Sequence, residues 1–210
     1  MSNFNAYNPQ KINRRQGNHE KLNKKRGSTD QLNQKGEQTR DVKSNILTQE
    51  ELIGIMRNDP KLLIGCVLDG LDLSKKILDE IDLTGTSFIG ANMQEIKLRK
   101  CILIESKLAN VNLQGSLLFD TNLNKADLSG ADLSCSNLIS SDLSEADLSN
   151  ANLSNTNLTD VNINYAMLGD SNFSDAYIIG ESGEKITLNA FNFNEYFGFM
   201  LPKNAKLNIS

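Results

Sequence analysis

The 210-residue chain has few of the residues on which enzyme chemistry commonly depends. It contains no Trp, three Pro and a single His. That residue, His19, lies in an N-terminal segment that we expect to be disordered, which leaves no His-based catalytic triad, and one His cannot form a cluster of His metal ligands. The motifs CxxC, GxGxxG and GxxxxGK[ST] are also missing from the sequence. We therefore expect a protein that is not an enzyme and that uses no metal, cofactor or small-molecule substrate.

Cysteines and long apolar runs are equally scarce. The three cysteines, Cys66, Cys101 and Cys135, are odd in number and stand alone, which disfavours a disulfide framework and indicates a reducing, cytoplasmic location. The first 30 residues are polar and lack the apolar core of a signal peptide. No apolar run approaches the roughly 20 residues that a membrane helix needs. We therefore expect a cytoplasmic protein that does not contact a membrane.

What the chain does contain is a large apolar residue at every fifth position from Leu68 to Ile178. These 23 consecutive sites hold 18 Leu, two Phe, two Ile and one Met. In a helix, five residues advance the side chain by about 500°, so these sites would form no single stripe. In a flat strand, side chains alternate, and every second site would point outward. A chain that turns one corner per five residues instead directs every such side chain toward a common axis, as stacked repeats do.

The positions before each apolar site support this arrangement. Two residues before it, the side chain is small in 19 of 23 units, the exceptions being Leu71, Lys76, Ile81 and Ile96. A small residue there is expected to face inward beside the apolar one. The residue immediately before the apolar site is mostly Asp or Asn, which bond their own backbone at turns. Stacked Asn side chains can also form amide ladders between neighbouring coils.

The unit A(D/N)Lxx, seen for example in residues 126–160, resembles the repeat of the pentapeptide-repeat proteins. The resemblance covers residues 66–180. It implies an all-β fold, a right-handed quadrilateral parallel β-helix of about six coils with four pentapeptides in each. It says much less about function, because folds host unrelated roles.

Residues 1–46 have a different composition. They carry ten Lys/Arg and four Asp/Glu, a net charge of +6, and few apolar residues. Such a segment cannot bury enough apolar surface to offset its ordering entropy, so we expect a disordered, low-complexity tail. It is either a solvated linker or a basic arm that engages nucleic acid or an acidic partner.

Residues 47–65 are predicted to form a helix and a lead-in to the repeats. Thr48 and Glu51 fit a capping box, and a proline at position 60 follows the helix. Leu52, Ile55 and Met56 form its apolar face. Its expected role is to cover the open first coil, which would otherwise expose unpaired backbone.

In residues 181–210 the repeat pattern decays. Four of the eight Phe lie between positions 191 and 199, which predicts a hydrophobic cap on the last coil. The alternative is a dimer contact. Resemblance to some family members implies dimerisation through the C-terminal end. The dimer candidates are Phe193, Tyr196, Phe197 and Phe199.

With four units in each coil, residues twenty apart share a column on the surface. Residues 111–180 carry one Lys/Arg and nine Asp/Glu, a net charge of −8, and this half can steer a basic partner. One face also carries two neighbouring outward columns that are unusually apolar, a candidate partner-binding site that the chain's own terminal segments could alternatively cover. The acidic-face candidates are Asp127, Asp132, Asp142 and Asp147. The partner-binding candidates are Ile77, Leu117, Phe119, Ile139, Tyr177 and Ile179.

Two functions compete. The first is a non-enzymatic scaffold or regulatory protein that binds another protein through a rigid β-helix surface. The second is a DNA mimic, because resemblance to the fluoroquinolone-resistance pentapeptide proteins implies binding to DNA gyrase in place of duplex DNA. Those proteins often have interrupting loops and a central Phe, whereas residues 68–178 are uninterrupted and their central residue is nearly always Leu. A third idea is that the basic tail binds nucleic acid, but the acidic rod would oppose this and is not expected to bind nucleic acid itself.

Overall fold

The computed structural model describes residues 49–58, 60–189 and 192–198. The predicted tail 1–46, Thr48 and Phe199 lie outside these residues. Helix α1 spans Gln49–Asn58 and is followed by a 3-10 helix, Pro60–Leu63. The last repeat unit contains strand β1 (Tyr177–Ile179), and strand β2 (Lys185–Thr187) and helix α2 (Phe193–Phe197) follow it. In the described ranges, no helix has the length and apolar character to cross a membrane.

The repeats form a parallel β-helix with twenty residues in each turn. Single parallel bridges join residues twenty apart, from Val67 with Ser87 to Asn157 with Tyr177, and every pentapeptide in between contributes one. Each coil therefore has four sides, one for each pentapeptide. The predicted β-helix and its uninterrupted period are confirmed, whereas its handedness and its total of about six coils stay predictions.

The interior contains the residues that the period predicts. The central apolar side chains are at most 2% exposed from Leu68 through Phe173, and Ile178 is 8% exposed. The small residues two positions earlier are mostly buried beside them, as the sequence predicts. Of the four large exceptions, Ile96 is fully buried, Leu71 and Ile81 are partly buried, and Lys76 is exposed. The core is therefore a stack of Leu layers with small side chains between them.

Each corner of the coil is a turn with a left-handed residue. The carbonyl of the central residue accepts a hydrogen bond from the N–H three residues on, as in the 3.0 Å bond from Ala131 N to Leu128 O. The second residue after each central site has a positive φ in all units from residue 65 to residue 175, and only six of these 23 residues are Gly. A left-handed conformation costs a non-Gly residue roughly 1–2 kcal/mol. Stacking of the coils therefore holds these residues in a left-handed conformation that most of them would not adopt on their own.

Asp and Asn side chains stabilise the same corners. Oδ1 of Asp142 accepts a hydrogen bond from the N–H of Ser144, two residues later, at 3.0 Å. The same bond recurs in most units that carry Asp or Asn before the central residue. Between coils, Asn172 donates to Asn152 and Asn152 donates to Asp132, each at 3.1 Å. Both the turn bonds and the amide ladder that the sequence predicts are present.

Apolar side chains from outside the repeats join the buried core near both ends of the described coil, and their role as caps stays a prediction. In α1, Leu52 and Ile55 belong to the same buried core as the first Leu layers. At the other end, β1 and β2 pair as an antiparallel hairpin, and the ring of Phe193 in α2 stands edge-on to Phe173, with centroids 5.5 Å apart.

Phe193 is 1% exposed and packs within its own chain, so its ring offers little surface to a second copy in this arrangement. Its role as a dimer contact stays a prediction. The side chain of Met56, predicted on the apolar face of α1, lies outside the described side chains.

The inward hydroxyls give a first test of the core. Ser136 Oγ is buried and has no hydrogen-bond partner among the described residues, whereas Thr156 Oγ1, one coil later in the same column, donates to the Leu133 carbonyl at 2.9 Å. We expect Ser136→Ala to raise the free energy of unfolding by about 1 kcal/mol, because it removes an unsatisfied buried group. Thr156→Val should lower the free energy of unfolding by a similar amount, because it removes a buried hydrogen bond. Urea unfolding of the two variants and the wild type measures both changes. An equal loss in both variants would contradict this assignment.

The corners give a second test. Gly90 has φ +67°, and a Cβ built there meets nothing within 4 Å, so a substitution changes only the backbone preference. Gly90→Val should lower the free energy of unfolding by about 1–2 kcal/mol because a β-branched residue is disfavoured in this region. Gly90→Asn is the matched control, since Asn110 occupies the same corner one coil later with φ 56°. Equal stability of the two variants in urea would show that the corner does not constrain the chain.

Candidate interaction surface

One side of the coil carries the predicted apolar columns. We call it the stripe face, and its buried central residues are Leu78, Leu98, Leu118, Leu138, Leu158 and Ile178. The outward column before them is joined by parallel bridges at every step and consists of Ile77, Lys97, Leu117, Asn137, Asn157 and Tyr177. The outward column after them consists of Asp79, Arg99, Phe119, Ile139, Thr159 and Ile179. The structure thus brings all six predicted partner-binding residues to one side.

These six side chains differ in exposure. Ile77 is 58% exposed, Phe119 38% and Ile179 36%, whereas Leu117, Ile139 and Tyr177 are half-buried. The Lys185 ammonium lies 4.0 Å from the centroid of the Tyr177 ring and covers one of its faces. The apolar surface is therefore concentrated around Phe119 and at the two ends of the face.

A forked ion pair organises the N-terminal part of the stripe face. Asp79 Oδ1 accepts the backbone N–H of Arg99 and Asp79 Oδ2 accepts Arg99 Nε, both at 2.9 Å, and Arg99 Nη2 also donates to Oδ2. These bonds hold the pKa of the Asp79 carboxyl below its usual value. They also direct the guanidinium back along the surface, away from Phe119 one coil later. The charge on this part of the face is consequently fixed in position.

The corner that borders the stripe face carries a column of mixed charge. It runs through Glu80, Lys100, Asp120, Ser140 and Asp160. Lys100 Nζ lies 3.9 Å from Glu80 Oε1, and both side chains are more than half exposed. Exposed pairs of this kind contribute only about 0–1 kcal/mol, so Lys100 remains available to other carboxylates.

The four acidic candidates do not share one face. Asp127 and Asp147 lie one coil apart in a single column, while Asp132 and Asp142 lie on two other sides. In each of them, Oδ1 accepts the N–H of the serine two residues later, at 2.9–3.1 Å. The negative charge of residues 111–180 therefore surrounds the rod, and these four carboxylates also hold its turns.

Three exposed apolar residues were not among the predicted sites. Ile89 is 44% exposed, Met167 54% and Tyr165 88%. Ile89 and Met167 occupy outward sites on a different side from the stripe face, and Tyr165 occupies a corner at φ 62°. A large apolar residue at a site that other units fill with Ser, Asn, Asp or Gly is the signal that would have found them.

Two of the remaining candidates, Tyr196 and Phe197, lie in α2. Tyr196 is 41% exposed, and Phe197 packs partly against the core with its ring centroid 4.7 Å from that of Phe193. Cys101 and Cys135 are free thiols, and burial raises the pKa of the Cys101 thiol to about 11. Within the described ranges, no group of three or more His, Cys, Asp or Glu could hold a metal ion.

Several solved structures are similar to the chain at low identity. HetL, a protein involved in heterocyst differentiation regulation in the cyanobacterium Nostoc sp. strain PCC 7120, is 22% identical over 62% of this chain and 68% of its own, with a TM-score of 0.39. Rfr23 from the cyanobacterium Cyanothece 51142 is 19% identical over 57% and 95%, with a TM-score of 0.38. The plasmid-mediated fluoroquinolone resistance protein QnrB1 is 15% identical over 70% and 86%, with a TM-score of 0.23. Values this low say nothing about function.

No curated protein matches the chain significantly. The family described as Pentapeptide repeats matches in eight copies, over residues 66–104, 103–134 and 136–175. These ranges include more than half of the chain and coincide with the stacked coils. Period, corner geometry and family match agree, and the chain belongs to the pentapeptide-repeat family.

Proposed function

We propose that this chain is a non-enzymatic protein-binding module, a cytoplasmic scaffold or regulator whose right-handed rod of about six coils presents the stripe face to a protein partner. The observation that carries this proposal is the exposure of Ile77, Phe119 and Ile179 on one face whose backbone is bridged at every coil. Exposed apolar surface of this kind marks interaction sites on soluble proteins.

The rigidity of the face favours binding. Each outward residue of the stripe face sits on backbone that is hydrogen-bonded to the neighbouring coils, as in the bonds from Leu98 N to Leu117 O and from Leu118 N to Asn137 O, at 2.9 and 2.8 Å. A preformed surface loses little conformational entropy when it binds. Phe119 lies at the middle of the face, where a central aromatic residue commonly supplies much of the binding energy.

The double variant Phe119→Ser/Ile139→Ser tests this proposal. Both residues occupy outward sites, so we expect the rod to keep its fold and to lose its partner. Full-length protein immobilised as bait, with captured proteins from the native extract quantified by mass spectrometry, should show at least a tenfold loss of the partner. Ile89→Ser is the matched control, because Ile89 is 44% exposed on another side. Equal capture by the wild type and the double variant would exclude the stripe face as the binding surface.

A second candidate function is mimicry of DNA toward gyrase. It is supported by the net charge of −8 in residues 111–180 and by the distribution of carboxylates around the rod. A negative field of this kind favours a partner with a basic groove. The separation of Asp127, Asp132 and Asp142 onto three sides means that such a partner would have to surround the rod.

The variant with Asp127, Asp132, Asp142 and Asp147 all changed to Asn tests this second candidate. Asn accepts the same turn hydrogen bond, as Asn157 Oδ1 does from Thr159 N at 3.1 Å, so the fold should be retained while four charges are removed. A DNA mimic should inhibit gyrase supercoiling, and the variant should need at least a tenfold higher concentration for the same inhibition. A wild-type chain that leaves supercoiling unchanged would exclude this function.

A further inference from the structure

The stripe face has a charge and apolarity pattern that is complementary to itself when reversed. Each coil contributes one level to the face, with one residue in the column before the central residue, one after it, and one at the bordering corner. The six levels, from the N-terminal end, are residues 77–80, 97–100, 117–120, 137–140, 157–160 and 177–180. The first, third, fourth and sixth levels carry the apolar residues. The first level also carries Asp79 and Glu80, and the third carries Asp120. The second level is basic through Lys97, Arg99 and Lys100, of which Arg99 is paired with Asp79 of its own chain, and the fifth carries Asp160.

We propose that the stripe face binds a second copy of the same chain, with the two rods side by side and antiparallel. This inference rests on the proposed function, since it names the partner of the same surface. In a two-fold dimer, the same patch on both copies must be complementary to itself. The argument therefore depends on which residues each possible two-fold axis would bring together.

An axis perpendicular to the rods, between the third and fourth levels, reverses the order of levels and keeps each column opposite itself. It places Phe119 opposite Ile139 of the second copy, and Lys100 opposite Asp160 of the second copy. Ile77, 58% exposed, then faces Tyr177 of the second copy. Every such contact occurs twice, so the centre contains two Phe119–Ile139 contacts and is flanked by two opposite-charge pairs. The same reversal places Leu117 opposite Asn137, and Asp79, which Arg99 of its own chain already binds, opposite Ile179.

A parallel dimer is disfavoured by the same columns. A two-fold axis along the rods would keep each level opposite itself and exchange the columns before and after the central residue. Lys97 would then face Arg99 of the second copy, twice in the dimer, and the Asp79 beside each Arg99 offsets only one of these two positive charges. Like charges placed opposite each other at an interface cost affinity. The charge pattern thus selects the antiparallel arrangement.

The size of the face predicts a reversible dimer. Six levels are separated by five steps of about 4.8 Å, so the face is roughly 24 Å long. The face is only one side of a coil wide, so we expect the interface to be small, and small interfaces form weak and transient complexes. We therefore expect self-association that depends on concentration in the micromolar range.

Sedimentation equilibrium of the full chain at several concentrations tests the inference. The weight-average mass of the wild type should rise from the monomer value of 23.2 kDa toward twice that value. Phe119→Ser should raise the dissociation constant at least tenfold. Circular dichroism of every variant checks that the coil is retained.

Charge reversal tests the antiparallel pairing itself. Asp160→Lys places two lysines opposite each other, and Lys100→Glu places Glu opposite Asp160, so each single change should weaken the dimer about tenfold. The double change Lys100→Glu/Asp160→Lys should restore it, because the opposite charges are exchanged. The introduced Glu and Lys side chains are compatible with a corner position, because Glu80 and Lys125 adopt φ 63° and 58° at equivalent positions of their own units. Lys125→Glu, on a different side, is the matched control and should leave association unchanged.

Three results would overturn the inference. One is a mass of 23.2 kDa at every concentration. Another is a dimer that Phe119→Ser and both single charge reversals leave unaffected, which would place the contact elsewhere. The third is a double reversal that does not restore association. The two proposals can fail separately. If the wild type is monomeric, but the Phe119→Ser/Ile139→Ser bait captures less partner protein than the wild-type bait, this inference is overturned and the proposed function is retained.

Discussion

The structure depends on one constraint, the pairing of each backbone segment with the segment twenty residues away. The parallel bridges from Val67 to Tyr177 leave no unit unpaired within the coil. Each bridge needs the chain to return to the same column after four corners. That requirement explains why residues such as Lys75 and Tyr165 adopt a left-handed conformation that they would avoid in isolation. The burial of one large apolar side chain in each unit supplies the compensating free energy.

The same constraint fixes the position of each outward side chain on the surface of the coil. Side chains twenty residues apart are held one coil apart, so Arg99 reaches Asp79 and Asn152 reaches Asp132 without any long-range folding of loops. A sparse set of apolar residues, spread over a hundred positions, consequently becomes a continuous face. The character of this face is thus set by which side chains the pattern places in its columns.

The sequence predicts the fold almost completely, because the period of five is incompatible with a helix or a flat strand. It also predicts which residues share the stripe face, since columns follow from arithmetic once the coil is known. It does not predict how far each side chain is exposed: Ile77 and Leu117 occupy equivalent sites, yet only Ile77 is largely exposed. The place of Phe193 is also not predictable, since the C-terminal segment leaves the repeat and its packing on Phe173 depends on tertiary contacts.

The acidic residues show a further limit of the pattern. Their number is read directly from the sequence. However, Asp127 and Asp142 each accept a turn hydrogen bond in addition to contributing negative charge, and they lie on different sides of the rod. A residue type that the repeat itself requires is therefore weak evidence for a binding site. The apolar residues of the stripe face are stronger evidence, because the repeat does not require them there.

The four-sided coil has a consequence for how such a protein can change during evolution. Loss or gain of five residues keeps every Leu pointing inward, but it rotates all later units by a quarter turn relative to the earlier ones. A single pentapeptide deleted between Phe119 and Ile139 would leave a folded rod whose stripe is broken onto two adjacent sides. Only insertions and deletions of whole coils of twenty residues change the length of the rod and still keep each later residue on its original side. Insertion or deletion of a single pentapeptide can thus preserve the fold while changing the surface.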